Sequence, residues 1–105
     1  MAGKYSKDMF PHEVKRRLEQ GEKLLFVDVR EQDEWASGHL PGAKHIPLGS
    51  IHQRHTELDP KQEYIIVCRS GGRSSLACEY LEELGYKVVN MPGGMLEWDG
   101  DVIHD

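Results

Sequence analysis

Cysteine is scarce: two in 105 residues, Cys68 and Cys78. That count cannot build the disulfide framework of a small secreted domain. The two thiols are separated by a loop and more than a helical turn. A bridge would need Cα atoms within about 7 Å and converging Cβ vectors, so Cys78 is expected to pack in the core. Basic charge is also in deficit. Lys and Arg number 13 against 18 Asp and Glu, a formal net charge of −5. This argues against nucleic acid or an anionic membrane as the main partner. No apolar run approaches the roughly 20 residues that span a bilayer. The N-terminus, Met1-Ala2-Gly3-Lys4-Tyr5-Ser6-Lys7-Asp8, lacks the apolar core of a secretory signal. A cytoplasmic location is therefore expected. Repeats, linkers and low-complexity stretches are missing too, so residues 1–105 are expected to form one domain. A chain of this length buries about 65% of the surface its unfolded form exposes, enough for a core without staples.

What the chain does have is one chemically dense stretch: Tyr64-Ile65-Ile66-Val67-Cys68-Arg69-Ser70-Gly71-Gly72-Arg73-Ser74-Ser75. Ile65, Ile66 and Val67 read as a short buried strand. Gly71 and Gly72 let the backbone turn tightly with amides free to point inward, because neither has a Cβ. From Ser74, the spacing of Ala77, Tyr80, Leu81 and Leu84 predicts a helix that Gly85 closes. A thiol is thus placed at a strand end, in a loop that leads into a helix N-terminus. Backbone N–H groups and the helix dipole stabilise negative charge there. A thiolate is the reactive form of cysteine, and its pKa falls near Arg and helix N-termini. Arg69 and Arg73 are the only charges between Glu63 and Glu79. A basic segment within an acidic chain marks an anion site.

The rest of the chain alternates. Met9 to Gln20 reads as a helix, with Val14 and Leu18 inward, Asp8 as a cap and Pro11 in the first turn. Leu24-Leu25-Phe26-Val27-Asp28-Val29 is an apolar run of strand length, typical of a strand covered on both faces. Glu31–Ser37 reads as a short helix and Ala43–Ile46 as a short strand. Leu48–Leu58 reads as helical. Lys87-Val88-Val89-Asn90 is a strand, followed by the turn Pro92-Gly93-Gly94 and a short helix at Leu96–Trp98. Strands alternating with helices predict an α/β fold: one small domain with a mostly parallel central sheet flanked by helices. Sites in such sheets lie outside the strands' C-terminal ends, where both Asp28 and Cys68 fall. His52 and His55 are spaced like a metal pair, but no third ligand is suggested nearby, so no metal site is expected and a solvated helix face is the reading.

Four stretches, taken together, form a known pattern. They are Val27-Asp28-Val29-Arg30-Glu31; Gly38-His39-Leu40-Pro41-Gly42-Ala43 with His45-Ile46-Pro47; Val67-Cys68-Arg69-Ser70-Gly71-Gly72-Arg73-Ser74; and Gly93-Gly94 followed by Trp98. In this order the chain resembles the rhodanese family in its single-domain form. The resemblance implies that Cys68 accepts a sulfane sulfur, becomes a persulfide and passes the sulfur on, with no cofactor. The implied partners are a small anionic donor (thiosulfate, persulfide or polysulfide) and a thiol or cyanide acceptor, or else a sulfur-relay protein. Related phosphatases and arsenate reductases use the longer loop Cys-x5-Arg. The spacing here is Cys68-x4-Arg73, which favours sulfur over phosphate.

Roles follow from the same resemblance. Cys68 is the nucleophile and sulfur carrier. Arg69 is placed to bind an anionic donor. Arg73 either contacts the donor or braces the loop's carbonyls. Ser70 either donates its hydroxyl to the sulfur or only turns the chain. The amides from Arg69 to Ser74 hold the persulfide charge. Asp28 and Arg30 resemble the family's first-motif pair, expected to support the loop by hydrogen bonds and an ion pair. His39 and His45 match structural positions, and Trp35 and Trp98 are expected to pack the core edge or site rim.

Overall fold

A computed structural model describes Tyr5 and residues 7–104. Met1–Lys4 and Ser6, most of the N-terminal segment expected to lack a secretory signal, lie outside the described residues. Four parallel strands form the sheet: β1 (Leu25–Asp28), β2 (Lys44–His45), β3 (Glu63–Val67) and β4 (Lys87–Asn90), in the order β2-β1-β3-β4. Four α-helices accompany them: α1 (Pro11–Glu19), α2 (Gln32–Ala36), α3 (Ile51–Arg54) and α4 (Gly72–Glu83). The expected α/β architecture is the one observed.

The apolar strand runs are covered on both faces. Successive side chains of a strand point to opposite sides, and the core divides accordingly. Val27, Ile66, Val88 and Cys68 join Ala77, Cys78 and Leu81 of α4 and Ile51 of α3. Phe26, Ile65, Val67 and Val89 join Met9, Val14, Leu40 and Met91 on the α1 face. Cys68 continues the parity of Ile66, so its side chain turns toward α4. Cys78 is fully buried there, as expected, and burial pushes its thiol up.

Two local readings need correction. Asp8 does not cap α1. Phe10 occupies the N-cap in an extended conformation with Pro11 behind it, while Asp8 bridges to Asn90 at the edge of β4. Proline's fixed φ and missing N–H suit a first helical position, so it decides the start. Leu48–Leu58 is not one helix but a 3-10 turn at Leu48–Ser50, the short α3, and a second 3-10 turn at His55–Glu57. Among the described residues no helix is long and apolar enough to cross a membrane.

Candidate active site

The loop from Cys68 to Gly71 owes its shape to a second loop. The carbonyls of Cys68, Arg69 and Ser70 accept hydrogen bonds from the amides of Met95 (2.9 Å), Leu96 (2.9 Å) and Gly93 (3.1 Å). With its carbonyls drawn outward, the loop is left with amides facing the sulfur. The close approach requires glycine on both sides. A Cβ on Gly94 would collide with the Cys68 carbonyl and stand 2.6 Å from the carbonyl carbon and oxygen of Arg69. One on Gly71 would press Pro92 and Gly93 at 3.2 Å, and Gly71 has φ 107°. It is the N-cap of α4, which starts two residues before the expected Ser74. Gly72 has open space around its Cβ position and no positive φ, so its lack of a side chain is not what shapes the loop.

Cys68 is 1% exposed. The Gly71 amide donates to its Sγ at 3.0 Å, and the Ser74 hydroxyl lies 3.4 Å away. Burial alone pushes the Cys68 thiol up. The Ser74 hydroxyl and the amides of Ser74, Gly71 and Ser70 outweigh it and hold the thiol below its ordinary value. Hydrogen bonds to the charged form favour that form. The sequence credits this effect to Arg69, Arg73 and the amides at the helix N-terminus; the amides are among its leading causes and the two arginines are not.

Each remaining candidate has a definite place. The Ser70 carbonyl is tied to the second loop, and it is Ser74, 0% exposed, whose hydroxyl reaches the sulfur. Helical geometry explains the exchange: a residue one turn into α4 faces back over the turn before it. Arg69 is exposed. Arg73 does not brace the loop's carbonyls. It pairs with Glu34 of α2, Nη1 to Oε1 at 2.7 Å and Nη2 to Oε2 at 2.8 Å. The sequence reading missed Glu34; its capping box with Glu31 was the available signal. Glu34's hydrogen bonds with Arg73 hold its carboxyl at about 2 despite partial burial.

Asp28 and Arg30 form the expected buried pair, at 2.8 Å between Asp28 Oδ2 and Arg30 Nη2. Their hydrogen bonds reach the Arg30 amide and the Gly38 carbonyl, so what they directly support is the segment around α2. Trp35 stacks between His39 and His45, with ring centroids 3.5 and 4.6 Å away. His55 is not on a solvated face: its Nδ1 lies 2.9 Å from the Tyr86 hydroxyl. A groove of about 370 Å³ between α1 and Trp98 contains none of the loop residues. The hydrogen-bond donors around Sγ lie outside that groove.

The model of the rhodanese-like domain matches residues 10–101. The chain belongs to the rhodanese-like family. A Bacillus subtilis relative named "Putative sulfurtransferase YtwF" is 46% identical over 88 residues, 84% of this chain and 85% of that one. A second, "Putative sulfur carrier protein YrkF" from the same organism, is 40% identical over 87 residues. The rhodanese-like match covers 82% of this chain and about half, 47%, of that relative. The crystal structure of a rhodanese-like domain protein from Staphylococcus aureus superposes with a TM-score of 0.89 at 36% identity, covering 94% of this chain and 98% of that one. Family and relatives together support a sulfur-transfer role for this rhodanese-like chain.

Proposed function

We propose that Cys68 carries a sulfane sulfur between a small anionic donor and a thiophilic acceptor. The observation that carries this reading is the convergence of the Gly71 amide (3.0 Å), the Ser74 hydroxyl (3.4 Å) and the amides of Ser70 and Ser74 on one buried sulfur. Such donors hold negative charge where the reaction places it.

With thiosulfate, the Cys68 thiolate attacks the outer sulfur. A sulfur–sulfur bond forms to Cys68, the original one breaks, and sulfite leaves with the electron pair. The persulfide's charge rests on its outer sulfur. A thiol or cyanide acceptor then attacks that sulfur, and the Cys68 thiolate leaves. No external oxidant or reductant is required. Arg69, next to Cys68 in the sequence and exposed, is the guanidinium available to the donor's charge, since Arg73 is committed to Glu34. That commitment also weakens a phosphatase reading, since it leaves the ring of amides without this guanidinium. Two free cysteines fit a reducing compartment such as the cytoplasm.

A relay role, in which sulfur arrives from a partner protein's persulfide, is the second reading, favoured by the sulfur-carrier name of one relative. Steady-state transfer with thiosulfate, polysulfide and a protein persulfide, compared side by side, tests both. Thiosulfate turnover whose KM rises in Arg69→Ala with kcat largely intact is the expected result, because uniform binding is lost. Turnover confined to the protein persulfide establishes the relay. Sulfur transfer from none of the three overturns the proposal.

A further inference from the structure

From the Cys68 sulfur a line of buried polar groups runs toward the N-terminal segment. The Ser74 hydroxyl lies 3.4 Å from Sγ and donates to Asn90 Oδ1 at 2.5 Å. It also stands 3.1 Å from the Gly71 carbonyl. Asn90 Nδ2 donates to the Tyr5 hydroxyl at 3.2 Å. Ser74 is 0% exposed and Asn90 2% exposed. Asn90 closes β4 and the Tyr5 hydroxyl has Asp8 beside it. Charged or titratable groups that act on Cys68 are Arg73 and Cys78, both from α4.

The proton count makes this line selective. A serine hydroxyl has one proton, and an asparagine amide has one accepting and one donating end. When Cys68 is a neutral thiol, its S–H donates to Ser74 Oγ, and Ser74 passes its own proton toward Asn90 Oδ1. The 2.5 Å contact between Ser74 Oγ and Asn90 Oδ1 fits this arrangement, and either atom of the Cys68–Ser74 contact can be the donor. When Cys68 is anionic, the sulfur is an acceptor only, and the Ser74 proton turns to it. Ser74 Oγ and Asn90 Oδ1 would then face each other at 2.5 Å as two acceptors without a proton between them. An unsatisfied buried pair of this kind is costly. Turning the amide over removes the conflict: Nδ2 donates to Ser74 Oγ, and Oδ1 accepts from the Tyr5 hydroxyl. Asp8 is exposed, so water replaces the Tyr5 proton there.

We propose that the Asn90 side-chain amide reverses whenever the charge on Cys68 Sγ appears or leaves, accepting from Ser74 in one state and donating to Ser74 in the other. Asn90 is thus a positioning residue: it frees the Ser74 hydroxyl to face the anion without leaving a buried acceptor unpaired. The inference deepens the reading of Cys68 as sulfur carrier. During transfer the charge moves from Sγ to the outer sulfur of the persulfide and back, and the amide follows it.

The test reads the amide itself, not activity, so it can fail independently of sulfur transfer. In isotope-labelled protein, nuclear Overhauser contacts of the Asn90 Hδ2 protons are recorded about one pH unit below and above the alkylation midpoint of Cys68. Below it the protons contact the Tyr5 ring; above it they contact the Ser74 β-protons. In Cys68→Ser the Tyr5 contacts persist at both pH values. Unchanged contacts in the wild type, or reversal in Cys68→Ser, overturn the proposal. Asn90→Asp supplies a second measurement. The ionised carboxylate accepts from Ser74 but cannot donate to it, so the Cys68 alkylation midpoint rises by about one unit or more, with fold checked by circular dichroism. A midpoint equal to that of the wild type in folded Asn90→Asp overturns it equally.

Discussion

Arg73 and Glu34 clasp each other end to end, two nitrogens against two oxygens at 2.7 and 2.8 Å. The pair ties the start of α4 to α2 across 39 residues of sequence. It thereby connects the thiol loop to the segment that Asp28 and Arg30 hold from below. Paired, planar contacts of this kind are what a guanidinium does best.

Glu34 should therefore contribute stability with a definite pH dependence. Its carboxyl is held at about 2 against an ordinary 4.5, chiefly by the Arg73 hydrogen bonds. A depressed carboxyl stabilises the fold above its unfolded value and loses that contribution as pH falls from about 4.5 toward 2. The side chains are 24% and 32% exposed, so solvent screening reduces the contribution to about 1–2 kcal/mol. Urea unfolding should find Glu34→Gln less stable than the wild type by that amount at about pH 7, with the gap closing at about pH 2. A gap that persists in acid would place the effect elsewhere.

Gly94 and Gly72 should respond oppositely to alanine. Gly94→Ala puts a Cβ into the Cys68 carbonyl and the Arg69 backbone, at φ 53°. A loss of roughly 2–4 kcal/mol is expected from crowding and backbone strain together. Gly72→Ala meets nothing within 4 Å on a helical backbone. It should be neutral or stabilise by about 0.5–1 kcal/mol. Thermal melts of both variants decide; equal losses would contradict the packing described for the loop.

Which parts of this arrangement could be read in advance follows from how far apart the partners lie. Strand positions and the thiol's place at the end of β3 were legible, because apolar runs and the glycine loop are local signals. So was the turning of backbone amides toward the sulfur. Only the share given to arginine charge was misread, because the fold alone shows that Arg73 turns away to Glu34. The sequence offered the Ser70 hydroxyl as a donor to the sulfur; with α4 starting at Gly72, it is the Ser74 hydroxyl that lies there. The reason for Gly94 is a contact with Cys68, 26 positions earlier, and Asn90 read only as the end of a strand. Long-range contacts leave no periodic trace.

Asp28→Ala should act through the fold. Asp28 is fully buried and its carboxylate accepts from the Arg30 amide and guanidinium. Removing the carboxylate leaves a buried guanidinium unpaired, at about 3–5 kcal/mol. For a domain this size that lowers Tm by well over 10 °C, at about 4–8 °C per kcal/mol. Loss of sulfur transfer with an unchanged melting temperature would instead give Asp28 a direct part in the chemistry.

The most direct test of the central claim is the mass of the loaded protein. After incubation with thiosulfate and removal of excess donor, wild-type protein should gain about 32 Da, one sulfur atom on a reactive thiolate, and fragment masses should place it on Cys68. The Cys68→Ser variant should gain nothing, since buried Cys78 keeps its proton. A gain of the same mass on Cys78 in that variant, or no sulfur on Cys68 from thiosulfate, polysulfide or protein persulfide in the wild type, would contradict the assignment of Cys68 as the carrier.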